Sequence, residues 1–445
     1  MDISIFKAYD IRGIVPDQLN ADLMEKIGRA FVAEIKPRQV VIGYDMRISS
    51  PELKAALVKG ITATGTDVID IGQCGTEMIY FASGRYGFDG GIMITASHNP
   101  SQYNGLKIVK RGAAALSGEQ GIFAIRDRIL KDDLSADSPN PGQTEQKDIW
   151  SDYIQHVLSF VDINKLKPLK IAIDAGNGMG GEIVKHVFRN LPFDIVPLYF
   201  EPDGRFPYHI PNPLEPENTQ DLRQKILAEK CDLGIAFDGD ADRMFLLDNQ
   251  GNLIPGTITT ALIAKNILQK HPGTTVLYNA VCGWIVPETI RENGGQAIKT
   301  PVGHSIIKQL MRQHDAIFGG EHSAHYYYRD NFYADSAFIS ALICLELICQ
   351  EGKLLSEIIQ PFQKYPAIPE TNSKVHDIAG KLQEIEEKYS DGQIDKIDGL
   401  SVDYPDWHFN VRPSNTEPLL RLNMEAKTQD ILEEKSREIL DLIRK

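Results

Sequence analysis

Lys170-Ile171-Ala172-Ile173-Asp174-Ala175-Gly176-Asn177-Gly178 is a short apolar run that breaks into polar and glycine residues. A helical stretch follows to about Leu191, and then a second apolar run, Phe193–Leu198. The same order occurs twice more. Val40-Val41-Ile42-Gly43-Tyr44-Asp45 leads into a helical stretch to Gly65 and a strand Asp67–Ile71. Thr275-Val276-Leu277-Tyr278-Asn279-Ala280 leads to a helix ending at Gly294 and a strand Gln296–Lys299. Short apolar strands alternating with helices predict βαβ units and mainly parallel sheets.

Each copy then reaches a second buried strand that ends in a polar loop: Gly91–Thr95 before Ala96-Ser97-His98, Leu233–Phe237 before Asp238-Gly239-Asp240, and Ala316–Phe318 before Gly319-Gly320-Glu321-His322-Ser323. Ligands of open α/β sheets bind beyond the carboxyl ends of the strands. Three related domains are therefore expected to present one loop each to a central cleft. Lys131–Thr144, rich in Asp, Ser, Pro and Gly, predicts a surface loop, and Asn249–Asn252 predicts a turn. Pro361–Thr371 predicts a linker, after which the pattern changes. A charged helix Ile378–Tyr389, strands near Gly399–Asp403, Trp407–Val411 and Leu419–Glu425, and a helix from about Thr428 to Arg444 read as a small α+β lid. The expected fold is three similar mixed α/β domains, 1–150, 151–254 and 255–368, plus a C-terminal α+β domain, 369–445.

A net charge of −14 over 445 residues argues against a nucleic-acid or anionic membrane partner. The longest apolar run, Ala337–Cys349, contains Ser340 and Glu346 and predicts a buried helix, not a membrane span. Five cysteines without a C-x-x-C pattern, and a start without a basic, apolar leader, predict reduced thiols in a cytoplasmic protein.

Thr95-Ala96-Ser97-His98-Asn99-Pro100 offers one hydroxyl nucleophile at a strand end, although a turn serine would look similar. It lacks the G-x-S-x-G elbow of hydrolases. Asp238, Asp240 and Asp242 stand at alternate positions after an apolar strand, where their repulsion calls for a cation. A calcium EF-hand needs Gly sixth and Glu twelfth, but Arg243 and Asn249 stand there, so Mg²⁺ fits better. A serine beside a carboxylate-bound Mg²⁺ suits phosphoryl transfer. Glu321-His322-Ser323-Ala324-His325 offers acceptors and a donor suited to sugar hydroxyls, with His325 either an acid–base group or a locally satisfied histidine. Arg412-Pro413-Ser414-Asn415-Thr416-Glu417 is either a phosphate cradle or a plain turn. Tyr9-Asp10-Ile11-Arg12-Gly13 is a further polar candidate.

On these motifs the chain resembles the α-D-phosphohexomutase superfamily, in its phosphomannomutase/phosphoglucomutase branch. The four loops occur in family order, and Asn104-Gly105-Leu106-Lys107 also matches. The resemblance implies a phosphoserine at Ser97, Mg²⁺ on Asp238, Asp240, Asp242 and the phosphoserine, and a hexose 1,6-bisphosphate that acts as intermediate and activator. Mannose and/or glucose 6-phosphates and 1-phosphates would interconvert. Lys107 is then the expected basic group near Ser97, with Arg12, Arg243, His304 and His325 as proton-handling or charge-stabilising groups. Tyr9, Glu321, Ser323, Lys299, Arg412, Ser414, Asn415, Thr416 and Arg421 are the expected substrate contacts, and a monomer or weak homodimer is the expected state. Where the family often places a basic residue and a serine or threonine, this chain has Ala280-Val281-Cys282-Gly283-Trp284, so one phosphate or sugar contact is either missing or supplied by Lys299 or His304. Alternatives are a phosphoglucosamine mutase, a sugar-phosphate phosphatase and a non-catalytic sugar-phosphate binder.

Overall fold

In the computed structural model, residues 2–414 and 419–445 are described. The chain divides into two compact units. One combines the residues through Pro255 with Ser323–Ile358, and the other combines Gly256–His322 with Ile359–Lys445.

The first unit holds two sheets and a hairpin. In the first sheet, strand Gln39–Tyr44 lies parallel between Asp67–Gln73 and Gly90–Ile94. This is the expected βαβ core. Two antiparallel strands that periodicity did not predict extend it: Tyr103–Lys110 beside Gly90–Ile94, and Ile11–Ile14 beyond that. At the opposite edge the predicted loop 131–144 ends in a strand, Thr144–Gln146, parallel to Asp67–Gln73. Helices Ala21–Ile35 and Ser50–Ala63 meet through Gly28 and Gly60. A Cβ on Gly60 would stand 2.2 Å from the Glu25 carbonyl oxygen, so only glycine permits that crossing. The Asn20 side chain caps the first helix by accepting from the Leu23 N–H.

The second sheet runs Met244–Leu247, Leu233–Phe237, Leu169–Asp174, Phe193–Leu198, with only the first pair antiparallel. Its first helix, Gly180–Val187, stops short of the expected Leu191. Hairpin strands Tyr326–Tyr328 and Ala334–Asp335 lead into helix Ala337–Glu351, which is buried from Ala337 to Cys349 as expected. Phe338 on that helix stacks on Phe237 with centroids 4.7 Å apart, which fixes the helix against the second sheet.

In the second unit Thr275–Asn279 pairs in parallel with Gln296–Thr300 and with Phe318–Gly320. The last strand lies two residues beyond the predicted Ala316–Phe318. The reason is packing: Gly319 passes beneath Met311 and Gly320 beneath Thr260, where a side chain would collide. Apolar patterning reads such glycines as loop. The C-terminal part is an antiparallel sheet ordered Thr371–Lys374, Leu419–Ala426, Trp407–Pro413, Leu400–Asp403, Gln393–Asp395. Helices Ile378–Lys388 and Gln429–Arg444 contribute Ile385, Leu432, Ile439 and Ile443 to its core. The fold is therefore α/β in three repeats with an α+β end. All five cysteines are buried and free. Among the described residues no helix is long and apolar enough to cross a membrane.

Candidate active site

Strand Gly90–Ile94 ends in the loop that carries Ser97. That residue is 3% exposed and adopts φ 49°, a left-handed conformation uncommon for a non-glycine residue. The Ser97 N–H donates to Thr95 Oγ1 (2.8 Å), and Ser97 Oγ donates to Asp238 Oδ2 (2.8 Å). The two loops touch through their backbones. A Cβ on Gly239 would lie 2.4 Å from the Ser97 carbonyl oxygen, so glycine is required between the two flanking aspartates.

The turn Asp238–Arg243 folds back on itself. Ala241 N–H donates to the Asp238 carbonyl, and the N–H groups of Asp242 and Arg243 donate to Asp238 Oδ1 at 3.2 and 3.1 Å. The reversal gathers three buried carboxylates whose oxygens lie within 4.8 Å of one another. Two cations offset them. Lys107, paired in register with Met93 on the strand leading to Ser97, donates from Nζ to Asp240 Oδ2 (2.7 Å) and to Asp242. Arg243 donates from Nε to Asp238 Oδ2 (2.9 Å). Thr76 donates to Asp240 through its hydroxyl and, at 3.0 Å, through its N–H to the Asp240 carbonyl.

The titration pattern follows from these contacts. Burial opposes ionisation of Asp240 and Asp242, but Lys107 outweighs it and holds both below the usual carboxylate range. Burial and the two neighbouring carboxylates push Asp238 up against the pull of Arg243. Burial would strip Lys107 of its proton, yet the aspartates overcome it and raise the ammonium above its ordinary value. The aspartates thus hold Lys107 as a cation. Asp240 Oδ1 and Asp242 Oδ1 are buried without hydrogen-bond partners. Buried carboxylate oxygens without hydrogen-bond partners, in a trio whose ligand atoms lie within 4.8 Å of one another, suit a hard divalent cation.

His98 Nδ1 lies 2.5 Å from Arg243 Nη2, and a guanidinium only donates, so Nδ1 accepts and the ring proton sits on Nε2. Burial, then Arg243, push His98 well below its ordinary pKa and keep it neutral. Arg12 joins through Asn99, donating from Nη1 to Asn99 Oδ1 (2.5 Å) while Nη2 pairs with Asp10 (2.5 Å). His325 Nε2 lies 3.8 Å from Asp242 Oδ1, and its Nδ1 lies 3.1 Å from Ser323 Oγ. Tyr9 is half-buried just before strand Ile11–Ile14. Ser97, Lys107, the three aspartates, Arg243, Arg12, Ser323 and His325 are therefore linked in one unit.

The remaining predicted residues lie in the second unit. Glu321 is buried and accepts from Asn279 Nδ2 (3.1 Å) and the Gly303 N–H (3.4 Å). His304 begins helix His304–Gln313. Lys299 pairs with Asp395 (3.0 Å). Arg412 and Arg421 are directly opposed across two strands, and Glu370 binds both, at 3.0 and 3.1 Å. Arg421 also donates to Ser414 Oγ (3.4 Å). Asn415 and Thr416 lie outside the described residues. The unusual Ala280–Trp284 segment docks on the C-terminal sheet: Trp284 N–H donates to Glu425 (2.9 Å) and its indole N–H to Asp403 (3.3 Å).

Several contributors escaped the sequence reading. Thr76, Asp335 and Glu370 sit outside the four polar loops. Asp335 places a carboxylate oxygen within 4.8 Å of ligand atoms on His325 and Asp242. Its signal was only an aspartate between two apolar stretches.

Family models for phosphoglucomutase/phosphomannomutase match in series: alpha/beta/alpha domain I over residues 4–136, domain II over 151–251, domain III over 255–365 and the C-terminal domain over 370–442. The chain is 43% identical to "Phosphohexose mutases" of Xanthomonas campestris pv. campestris, with 100% of both chains covered. It is 40% identical to a phosphomannomutase of Escherichia coli K12, with 99% of each covered. A crystal structure of a phosphoglucomutase/phosphomannomutase family protein from Burkholderia thailandensis is 34% identical, with TM-score 0.90 over 99% of this chain and 97% of that one. The serine–aspartate–lysine cluster thus stands in a chain matched domain by domain, and this protein belongs to the phosphoglucomutase/phosphomannomutase family as a mutase.

Proposed function

We propose that this mutase interconverts the 6-phosphates and 1-phosphates of mannose and glucose through a phosphoryl group carried on Ser97. The supporting observation is the direct Ser97–Asp238 hydrogen bond beside buried carboxylate oxygens that lack hydrogen-bond partners. Full-length relatives called phosphomannomutase support the choice of sugar. Asp238, Asp240 and Asp242 would hold Mg²⁺, which supplies positive charge to the oxygens of the transferring group.

In the forward step the bond from phosphorus to Ser97 Oγ breaks as one forms to the free O1 or O6 hydroxyl of a hexose monophosphate. The hydroxyl proton passes to His325, and the product is a hexose 1,6-bisphosphate. After it turns over, its other phosphoryl group returns to Ser97. Lys107 and Arg243 remain charged and stabilise the phosphoryl oxygens and the leaving serine oxygen. Glu321 accepts from sugar hydroxyls, while Arg412, Arg421, Ser414, Asn415 and Thr416 grip the phosphate that is not reacting. Binding energy there serves to orient the reacting end. The buried free thiols fit a reducing compartment, and we place the enzyme in the cytoplasm.

The test is incubation with mannose 1-phosphate or glucose 1-phosphate, Mg²⁺ and a trace of glucose 1,6-bisphosphate. Formation of the 6-phosphate without stoichiometric free phosphate supports the reading. Stoichiometric phosphate release would instead indicate a phosphatase.

A further inference from the structure

Ser97 is gripped through its backbone by an arginine with no assigned role. Arg47 lies in the turn between strand Gln39–Tyr44 and helix Ser50–Ala63, and is 1% exposed. Its Nη1 donates to the carbonyls of Pro100 (2.8 Å) and Tyr103 (2.9 Å). Its Nη2 donates to the carbonyls of Ser97 (2.8 Å) and Asn99 (2.6 Å). Four carbonyls of the loop between strands Gly90–Ile94 and Tyr103–Lys110 thus converge on one guanidinium.

The guanidinium is itself held. Nε lies 3.2 Å from Asp45 Oδ2, and Asp45 Oδ1 accepts from the Arg47 N–H (3.0 Å) and Ser50 Oγ (2.7 Å). Phe206 covers it at 5.1 Å from the ring centroid. The loop bearing Phe206 fits only because Gly204 passes Arg47 Cα, where a Cβ would stand at 2.7 Å. A buried arginine with one ion pair and four carbonyl acceptors is an anchor of fixed geometry, because the planar fork matches several acceptors at once. The anchored residue needs one: Ser97 stands at φ 49°, a conformation that persists only when its surroundings enforce it.

We infer that Arg47 is a positioning residue for phosphoryl transfer: by binding the carbonyls of Ser97, Asn99, Pro100 and Tyr103 it fixes the serine loop in the conformation that presents Oγ to Asp238. This rests on the reading of Ser97 as the phosphoryl carrier. Without the anchor, Ser97 relaxes toward ordinary backbone angles and its oxygen leaves the line of transfer. Displacements of about 1 Å at a reacting atom cost up to roughly a hundredfold in rate.

The test is Arg47→Lys, which keeps the charge facing Asp45 but has three donors and no fork. The expected result is a kcat lowered at least about tenfold with KM unchanged within about twofold, since the donors of Arg47 are spent on the loop. Single-turnover transfer from phosphorylated Ser97 to glucose 1-phosphate falls by the same factor. A purely structural role would lower the melting temperature and the active fraction together, leaving that single-turnover rate intact. Phe206→Leu loosens the cover without touching the fork and is expected to lower kcat about threefold at constant KM; it decides the matter if Arg47→Lys does not fold. A normal single-turnover rate in the folded Arg47→Lys protein, or an unchanged kcat in Phe206→Leu should the former not fold, overturns the role of Arg47. A wild-type protein that takes no phosphoryl group on Ser97 from glucose 1,6-bisphosphate overturns the mutase reading instead.

Discussion

Replacing Lys107 with methionine tests how the acidic pocket is balanced. Lys107 meets Asp240 at 2.7 Å and also binds Asp242, while Arg243 meets Asp238 at 2.9 Å. Three buried carboxylates against two cations leave one excess negative charge, and Lys107→Met leaves two. At an effective dielectric near 20, unit charges about 4 Å apart interact by about 4 kcal/mol. A divalent cation entering the pocket no longer has to displace or repel an ammonium. After relaxation takes most of that gain, at least about 1.4 kcal/mol should remain, which is tenfold in affinity. Calorimetric titration of Mg²⁺ into both dephosphorylated proteins is the assay. The variant is expected to bind Mg²⁺ at least about tenfold more tightly. In chelator it should be about 3–5 kcal/mol less stable, because the carboxylates lose their buried partner. Its turnover should collapse if, as proposed, the lost charge also serves the phosphoryl group. Equal or weaker Mg²⁺ binding by Lys107→Met would refute the assignment of Lys107 and the aspartates to one partly neutralised cage.

Other substitutions probe neighbouring links. Gly239→Ala would press a Cβ to 2.4 Å from the Ser97 carbonyl; overpacking of this kind costs about 1–3 kcal/mol, and we expect kcat to fall while the protein stays folded by circular dichroism. If Arg412 grips the substrate phosphate as proposed, Arg412→Ala removes a charge-assisted contact of about 1.5–3 kcal/mol, so KM for mannose 1-phosphate should rise by one to two orders of magnitude, and an unchanged KM would count against the phosphate role. Burial pushes Glu77 from an ordinary 4.5 up to about 8. A carboxyl raised in the folded state contributes stability below its unfolded value and loses it as pH climbs through the folded one, so the wild type should weaken between pH 4.5 and about 8, by an amount on the order of 5 kcal/mol. Glu77→Gln stays neutral, and its urea midpoint should be flatter across that range; identical slopes would show that Glu77 ionises without penalty.

What the sequence made legible was whatever has a period or a spacing. The strands near Val40, Lys170 and Thr275 and the buried run Ala337–Cys349 stand out because apolar residues recur at fixed intervals. Asp238, Asp240 and Asp242 stand out because carboxylates rarely crowd a strand end without a cation. Strand Phe318–Gly320 was misplaced because Gly319 and Gly320 are chosen for what passes over them, which no hydropathy pattern records. Arg47 was missed because its partners are backbone carbonyls about 50 residues away, and a carbonyl leaves no mark on residue type. Glu370 was missed because a carboxylate in a proline-rich linker looks like solvent-facing charge until Arg412 and Arg421 are seen to meet it.

The central claim is that Ser97 and the aspartate trio act on the same phosphoryl group. Radiolabelled glucose 1,6-bisphosphate, followed by proteolysis and peptide mapping, measures this directly. The account predicts one label on the peptide carrying Ser97, discharged to unlabelled mannose 6-phosphate when Mg²⁺ is present and retained when Mg²⁺ is chelated. Label on another residue, no label at all, or discharge at full rate without a divalent cation would contradict it.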